Sequence, residues 1–199
     1  MKKSTTLLAL FILVSFSCRK NIDYTENCGC NGPETELVEN IFGIITETDD
    51  GFEILTDTKG LLLPCAELPA VFKKEAQPVE VSGMLKVPCK KIPYDVDITP
   101  IAITGLKLRS AAYNKTDISL TIIKSEDYGY STGFGYMVED HVSGFKILQP
   151  FIPAVSGIVP FTTATHAEKT AVLSIHLLRK SPGLPSLSLE ILKYMHVIN

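Results

Sequence analysis

The sequence predicts a mainly β protein with an α+β part: a small β-barrel-like domain, then a small α+β domain with a β-hairpin and one main helix. Three observations support this fold class. Short β-type runs separated by turn residues fill residues 41–108. A second set of short runs, within residues 117–150, contains a hairpin. One later stretch, residues 165–180, repeats apolar residues at helical spacing.

Residues 1–17 have the pattern of a secretion signal. Lys2 and Lys3 precede an apolar run, Leu7 to Phe16, which is followed by the small residue Ser17. A transmembrane anchor is the alternative interpretation, but a helix needs about 20 apolar residues to cross a bilayer and this run has about half of them. A signal peptide is therefore the favoured interpretation.

The segment Ser15-Phe16-Ser17-Cys18 resembles the lipobox of bacterial lipoproteins, in which a small residue precedes a lipidated Cys. The resemblance implies that Cys18 becomes the mature N-terminus and carries acyl chains. Several acyl chains anchor a protein stably where one chain is marginal. The alternative is a soluble secreted protein in which Cys18 has no such role.

The same resemblance implies a place in the cell envelope, with the chain lipid-anchored to the outer or the inner membrane and facing the periplasm or the cell surface. The lipid membrane, bound through Cys18, is the first expected partner. Residues 18–36 are polar and include Gly29, Gly32 and Pro33, so they are predicted to form a tether between the lipid and the folded part.

Four further cysteines are predicted to form disulfides: Cys28, Cys30, Cys65 and Cys89. They are an even number in an oxidising compartment, and four cysteines allow three pairings. A direct Cys28–Cys30 bond is strained, so bonds that cross to Cys65 and Cys89 are favoured. A Cys65–Cys89 bond, with the first two reduced or paired within the tether, stays an alternative. C-x2-C spacing and nearby His ligands are both missing, so no metal and no cofactor are expected.

The barrel-like domain is predicted over residues 37–110. An Asp49-Asp50-Gly51 turn between two β-type runs indicates a hairpin. Gly83 interrupts a later run, which indicates a bulge where a barrel wall bends. A short helix or turn is predicted over residues 66–74. The predicted strands are residues 41–47, 52–56, 61–64, 79–87 and 98–108.

The segments Leu62–Pro69 and Val79–Gly83 resemble a small barrel domain of Bacteroidota lipoproteins that is similar to an OB-fold. OB-folds that bind nucleic acid use a basic groove with aromatic residues. Here the lysines are scattered and have few aromatic neighbours, as Lys73, Lys74, Lys90 and Lys91 show. Without the leader, 17 Lys and Arg stand against 22 Asp and Glu. No nucleic acid is therefore expected as a partner.

The α+β domain is predicted over residues 112–199, with strands at 117–124, 134–139 and 145–150. The stretch that follows is interrupted by Pro and Gly, so it is predicted to be a loop. Its apolar side chains are too many to be left in water, so we expect an ordered loop that buries them. They are Phe151, Ile152, Val155, Ile158, Val159 and Phe161.

The main helix is predicted to begin at a capping box, Thr165 to Glu168, and to end at Gly183. Its last turn contains Arg179 and Lys180, whose positive charges interact favourably with the negative end of the helix dipole. The predicted apolar face consists of Ala167, Ala171, Ile175 and Leu178, and the predicted polar face of Lys169, His176 and Lys180. A short closing helix or strand is predicted over residues 188–195.

The second domain resembles a family of small Bacteroidota domains known only as a domain of unknown function. The resemblance covers about 80 residues and is most specific between Gln149 and Gly157. It also rests on Gly133-Phe134-Gly135-Tyr136, Phe161, Ala167, Glu168, Ala171, Pro185 and Glu190. The sequence departs from the family at Leu148, where the family usually has His. Either a chemical role of that His is lost here, or the position serves packing.

No established catalytic motif is present: the sequence has no G-x-S-x-G elbow, no H-E-x-x-H and no phosphate-binding glycine loop. His166 is predicted in the capping turn, His176 on the polar helix face and His196 near the C-terminus. His141 lies beside Glu139 and Asp140, a candidate carboxylate–imidazole cluster, although turns are also polar for solvation alone. No catalytic residue is therefore assigned.

Aromatic side chains supply the candidate binding site. Tyr128, Tyr130, Phe134 and Tyr136 form the densest aromatic cluster and are separated by Gly and Ser, as in many binding surfaces. About half of these side chains would point into the core, because successive side chains of a strand point to opposite faces. The candidate binding residues are Tyr128, Tyr130, Phe134, Tyr136, Gln149 and Phe151.

We therefore expect a cell-envelope lipoprotein that acts as a non-catalytic binding or assembly module, with an envelope protein or a glycan as partner. The alternative is an envelope hydrolase that acts on glycan or peptide with acids from the second domain. A third interpretation is a structural part of an export or uptake complex. A deep pocket with two carboxylates, or with a His and a carboxylate, would favour the hydrolase. A flat surface bearing Tyr128 and Tyr130 would favour binding.

Overall fold

A computed structural model describes residues 28–89, 96, 98–109, 113, 115–180, 183 and 185–199. The signal peptide, Cys18, Lys90 and Lys91 lie outside the described residues. The predicted fold class is confirmed, because the chain forms a closed five-stranded barrel, a separate three-stranded sheet and one main helix. None of the helices in the described ranges is long and apolar enough to cross a membrane.

The barrel consists of β1 (Glu34–Thr48), β2 (Gly51–Thr56), β3 (Gly60–Pro64), β4 (Pro78–Lys86) and β5 (Ile98–Leu108). The strands close in the order β1-β2-β3-β5-β4. Only the β3–β5 pair is parallel among these pairings. This is the predicted OB-like barrel. The predicted helix or turn over residues 66–74 contains one turn of 3-10 helix, Ala70–Phe72.

The barrel wall bends at glycine, as the sequence predicted. The register of β4 against β5 shifts between Ser82 and Gly83. A Cβ atom on Gly83 would lie 2.5 Å from the carbonyl oxygen of Ala102, so only glycine allows this approach. A second register shift, between Val38 and Ile41, bends β1 where it pairs with β4. The long strand β1 can therefore pair with both β2 and β4.

Two disulfides hold the beginning of the described chain against the barrel. Cys28 bonds to Cys89 and Cys30 bonds to Cys65, which is the crossing arrangement that the sequence favoured. The amide of Gly29 also donates to the carbonyl of Val87 at 2.7 Å. Residues 28–36, predicted as part of the tether, are therefore fixed to the barrel, and β1 begins at Glu34. Each such crosslink typically adds roughly 2–4 kcal/mol to the free energy of unfolding.

The second part of the chain forms β6 (Ile118–Lys124), β7 (Phe134–Asp140), β8 (Lys146–Gln149), α1 (Ala164–Lys180) and α2 (Leu189–Tyr194). The three strands form an antiparallel sheet with β7 in the centre. Helix α1 begins earlier than predicted, because the hydroxyl of Thr163 accepts a hydrogen bond from the amide of His166 at 3.1 Å. The predicted capping box at Thr165 is therefore wrong.

One hydrophobic core joins the barrel, α1 and the sheet. It contains Phe42, Ile44, Leu55 and Leu61 from the barrel, Tyr136 and Val138 from β7, and Leu173 and Ile175 from α1. A second cluster fills the barrel interior and includes Ile45, Ile54, Leu62, Val81 and Ile101. Consecutive residues such as Ile44 and Ile45 belong to different clusters because side chains alternate along a strand. Both predicted domains therefore contribute to one core.

The face of α1 predicted to be polar is mostly buried. Lys169 and His176 are only 1% and 4% exposed, because this face packs on the barrel while the opposite face packs on the sheet. The prediction of a solvated face is therefore wrong for these two residues. The ammonium of Lys169 forms an ion pair with Glu75 at 2.6 Å and donates to the carbonyl of Met195. Burial lowers the pKa of Lys169, and Glu75 opposes that shift.

Two further polar clusters join the barrel to the helices. The fully buried carboxylate of Asp57 accepts hydrogen bonds from Tyr113 and Lys115, both at 2.8 Å, and lies 3.3 Å from Arg179 of α1. The hydroxyl of Tyr194, at the end of α2, donates to Glu53 of β2 at 2.7 Å. A buried charge without a partner is costly, so these contacts fix how α1 and α2 sit on the barrel.

Glu53 makes the stability of this interface depend on pH. Its second carboxylate oxygen has no hydrogen-bond partner in the described residues. Burial raises the pKa of Glu53 to about 7, although the hydrogen bond from Tyr194 acts against it. The carboxyl group of Glu53 therefore binds its proton more tightly in the folded protein than in the unfolded chain. The free energy of unfolding should therefore fall as pH rises from about 4.5 to about 7, by about 3 kcal/mol for this group.

The variant Glu53→Gln should lose this part of the pH dependence, because an amide does not ionise. We expect it to be more stable than the unmodified protein at pH 8, by up to about 3 kcal/mol, and to gain no such advantage at pH 4. Denaturant unfolding at both pH values measures the difference. Glu36→Gln, at an exposed carboxylate paired with Lys59, is the control. If the free energy of unfolding changed between pH 4 and pH 8 by the same amount in both variants, the prediction would be contradicted.

Candidate functional site

Two neighbouring loops, residues 125–133 and 150–160, form the candidate site, which we call the two-loop surface. The first loop connects β6 to β7 and the second connects β8 to α1. They lie side by side because β7 pairs with β6 on one side and with β8 on the other. The central strand of the sheet therefore positions both loops.

The first loop is held by its own backbone. It begins with a turn of 3-10 helix, Ser125–Tyr128, which ends at Gly129 in the left-handed conformation with φ of 81°. The amide of Ser125 donates to the carbonyl of Gly133 at 3.1 Å, and the Glu126 carboxylate accepts from the amide of Gly133 at 3.3 Å. These bonds close the loop at its base, so its aromatic side chains are presented on a defined backbone.

The second loop is closed in a similar way. The amide of Ile152 donates to the carbonyl of Val159 at 2.8 Å, and the Ile152 side chain is buried. The side-chain amide of Gln149 donates to the carbonyl of Phe151 at 2.8 Å. Gln149 was a candidate binding residue. Its observed contact is structural, because it fixes the start of this loop.

Close contacts join the two loops to each other. The hydroxyl of Ser125 donates to the carbonyl of Pro150 at 2.5 Å. A Cβ atom on Gly135 would lie 2.5 Å from the carbonyl oxygen of Gln149, so a side chain at this position would push the loops apart. Phe134 and Phe161 exchange two backbone hydrogen bonds of 2.9 Å. The Gly-Phe-Gly pattern seen in the sequence is thus explained by backbone packing.

Apolar side chains remain exposed on both loops. Tyr128 is 42% exposed and Ile158 is 58% exposed, and Val159 is exposed as well. The rings of Tyr130 and Phe151 pack edge to face across the two loops, with centroids 5.8 Å apart. The expectation that the second loop buries its apolar residues is therefore wrong for Ile158 and Val159. Their sequence context does not distinguish them from Ile152, so this exposure had no sequence signal.

Two of the candidate binding residues belong wholly or partly to the core. Tyr136 is buried, and its hydroxyl lies 2.9 Å from the hydroxyl of Ser174 in α1. Burial raises the pKa of Tyr136 to about 12. Phe134 is half-buried and packs against the shared core. The structure therefore leaves Tyr128 exposed, Tyr130 and Phe151 partly exposed, and Tyr136 buried.

A groove of about 690 Å³ lies between the β7–β8 turn and the end of α1. Its apolar lining includes Ile118, Phe145 and Leu178, and its charged lining consists of Asp117, Asp140 and Arg179. Two carboxylates in one groove are the feature that would favour a hydrolase.

Both carboxylates of this groove are already engaged. Asp140 accepts from the hydroxyl of Ser143 at 2.6 Å and from the amide of Val142 at 2.8 Å, and these bonds hold its pKa below the ordinary value. Burial pushes the pKa of Asp117 upward, but a 2.7 Å hydrogen bond from Arg179 and the backbone outweigh it, so this pKa is lowered too. Neither group is suited to donate a proton at neutral pH.

The predicted cluster around His141 does not assemble a site. The carboxylate of Asp140 accepts a hydrogen bond from Ser143 in its own turn, and the carboxylate of Glu139 lies 3.5 Å from the ammonium of Lys146. His196 lies near a different carboxylate, 2.9 Å from Asp49 on the β1–β2 turn, at an exposed position. No three His, Cys, Asp or Glu side chains in the described ranges come close enough to hold a metal ion.

The barrel face that binds ligands in OB-folds is covered by the chain's own helices. In such barrels ligands bind at the β2–β3 face and the β1–β2 loop. Here Leu55 and Leu61 of that face belong to the core shared with α1. On the loop, Asp50 accepts from Tyr194 at 3.1 Å and Asp49 contacts His196. The β2–β3 face and the β1–β2 loop are therefore occupied by contacts within the chain itself.

A family model described as Domain of unknown function (DUF4907) matches residues 126–192. The matched segment begins in the first loop of the two-loop surface, includes the second loop and α1, and ends in α2. The expectation of a small domain of unknown function in the C-terminal part is thereby confirmed. The comparison with curated proteins gave no match.

Proposed function

We propose that this protein is a cell-envelope lipoprotein of the Bacteroidota type, anchored through Cys18, and that it acts as a non-catalytic binding module. The two-loop surface is the proposed contact site. The observation that carries the proposal is the exposure of Tyr128, Ile158 and Val159 on loops that are closed and joined by hydrogen bonds. A surface that is ordered before binding loses little conformational entropy when a partner arrives.

The mixture of side chains favours a protein as the partner. Aromatic residues are enriched in the apolar centre of protein interfaces. Ile158 and Val159 add aliphatic area, which offers a glycan neither a flat ring to stack on nor a hydrogen bond. The site lies on loops that a rigid sheet positions, as binding sites commonly do. An envelope protein with a complementary apolar surface is therefore the proposed partner, and a glycan is the alternative.

The hydrolase alternative has one observation in its favour, the pair of carboxylates in the groove. Glycoside hydrolysis by two carboxylates needs one acid with a raised pKa to protonate the leaving group. The pKa values of Asp117 and Asp140 are both lowered, and both groups accept hydrogen bonds from neighbours. The groove therefore supports the hydrolase less well than the two-loop surface supports binding.

The anchor is supported by the lipobox-like segment and by the two disulfides, which are typical of proteins outside the cytoplasm. We expect the unmodified chain in the membrane fraction with acyl chains on Cys18, detected by mass spectrometry. Once residues 1–17 are removed, the Cys18→Ala form should appear in the soluble envelope fraction, because residues 19–199 contain no apolar segment comparable with Leu7 to Phe16. Retention of the Cys18→Ala form in the membrane would contradict the anchor.

The binding role is tested by removing exposed apolar side chains from both loops. The double variant Tyr128→Ser, Ile158→Ser should lose its envelope partner, with at least about tenfold less partner recovered after crosslinking in native membranes. Val142→Ser is the matched control, because Val142 is 83% exposed and lies outside both loops. The double variant must unfold at the temperature of the unmodified protein.

Equal recovery of partners by the double variant and by Val142→Ser would contradict the proposed site. Binding to purified peptidoglycan that is lost in the double variant would assign the surface to a glycan instead of a protein. Accumulation of a cleaved glycan or peptide product by the purified protein would favour the hydrolase.

A further inference from the structure

A second pocket, of about 410 Å³, lies between one end of the barrel and the last turn of α1. Strand ends of β1, β4 and β5 and the β2–β3 turn form its barrel side, and α1 forms the other side. The two-loop surface contributes no residue to it. The pocket is thus a separate feature, created where the helix packs on the barrel.

The pocket is rich in positive charge. Four cationic side chains line it, Lys59, Lys86, Arg179 and Lys180, and Glu36 is the one carboxylate among its described lining residues. The chain as a whole has a net charge of −3, so the pocket has the opposite sign of charge from the protein as a whole. A concave surface lined by one sign of charge attracts ions of the opposite sign.

Some of these cations already have carboxylate partners. Lys59 forms an ion pair with Glu36 at 2.6 Å, and Arg179 lies 2.7 Å from Asp117. Lys86 is different, because it forms no ion pair with a carboxylate of the described residues. Within the described ranges its ammonium donates to the carbonyl of Gly32, at 3.4 Å, which is a long hydrogen bond.

Two hydroxyl groups line the same pocket without a hydrogen-bond partner in the described part of the chain. They belong to Thr58 on the β2–β3 turn and Thr99 on β5. Lys59 can also donate further, because an ammonium has three hydrogens and Glu36 does not require all of them. The pocket therefore collects donors from the turn, from β4 and from β5. A ligand with several acceptor oxygens would use them together.

We propose that this pocket binds a phosphate group, with Lys86 as its main contact and Lys59, Thr58 and Thr99 as further donors. A tetrahedral phosphate offers several strong acceptor oxygens and up to two negative charges, which suits donors that approach from different elements. This site goes beyond the proposed function, because the two-loop surface plays no part in it.

The position of the pocket suggests where the phosphate comes from. Lys86 precedes Val87, whose carbonyl accepts from Gly29, and Cys89 is bonded to Cys28, where the described chain begins. The pocket therefore lies beside the point at which the predicted tether joins the barrel. With the anchor of the proposed function in place, lipid headgroup phosphates lie at the other end of that tether. A free phosphate or a soluble phosphorylated molecule offers the same chemistry.

Amide NMR of the whole chain carrying Cys18→Ala, titrated with inorganic phosphate at low ionic strength, tests the site. We expect amide shifts at Lys59, Lys86 and Thr99, and about tenfold weaker binding in Lys86→Ala, because a charge-assisted hydrogen bond is lost. Lys146→Ala is the control, since Lys146 is an exposed lysine on β8. Added salt should weaken the binding.

No shifts at these amides with about 10 mM phosphate, or equal weakening by Lys86→Ala and Lys146→Ala, would overturn the proposal. Vesicles of phosphatidylglycerol that compete with phosphate, and do so less in Lys86→Ala, would identify headgroups as the source. Phosphate binding without such competition would identify a soluble source. Cys18→Ala is present in every sample, so failure of the phosphate site leaves the lipid anchor untouched, and failure of the anchor leaves this measurement unchanged.

Discussion

Helix α1 packs against two surfaces at once, the outer wall of the barrel on one side and the three-stranded sheet on the other. A three-stranded sheet with one helix, and a barrel of about 70 residues, each bury too little surface to be strongly stable alone. The shared helix gives both of them a common core. It also forces polar groups of the helices into the interface, where Lys169 pairs with Glu75, Arg179 approaches Asp57, and Tyr194 donates to Glu53.

The two-loop surface depends on the same arrangement. Its loops leave the sheet whose inner face is covered by α1, so the packing of the helix fixes β7 and β7 fixes both loops. Gly135 permits the close contact between them, and Ser125 ties the first loop to the start of the second. The loops can leave Ile158 and Val159 in solvent because their backbone is held by hydrogen bonds rather than by burial of these side chains.

Local signals in the sequence predicted most elements of the fold. The Asp-Gly turn, the strands of the barrel, the bulge at Gly83 and the main helix depend on neighbouring residues, which the sequence displays directly. Burial of Lys169 and His176 was not predictable, because helical periodicity shows one apolar face and does not reveal that a barrel covers the other. Tyr128, Tyr130 and Phe151 could be named as candidates because they form an aromatic pattern in the sequence, but the exposure of Ile158 depends on how the loop closes in three dimensions.

The central claim is that barrel, helices and sheet form one cooperative unit because they share a core. Differential scanning calorimetry of the chain with both disulfides intact tests this claim most directly. The account predicts a single unfolding transition whose calorimetric enthalpy equals its van't Hoff enthalpy. Two separate transitions, with the barrel and the sheet unfolding at different temperatures, would contradict it.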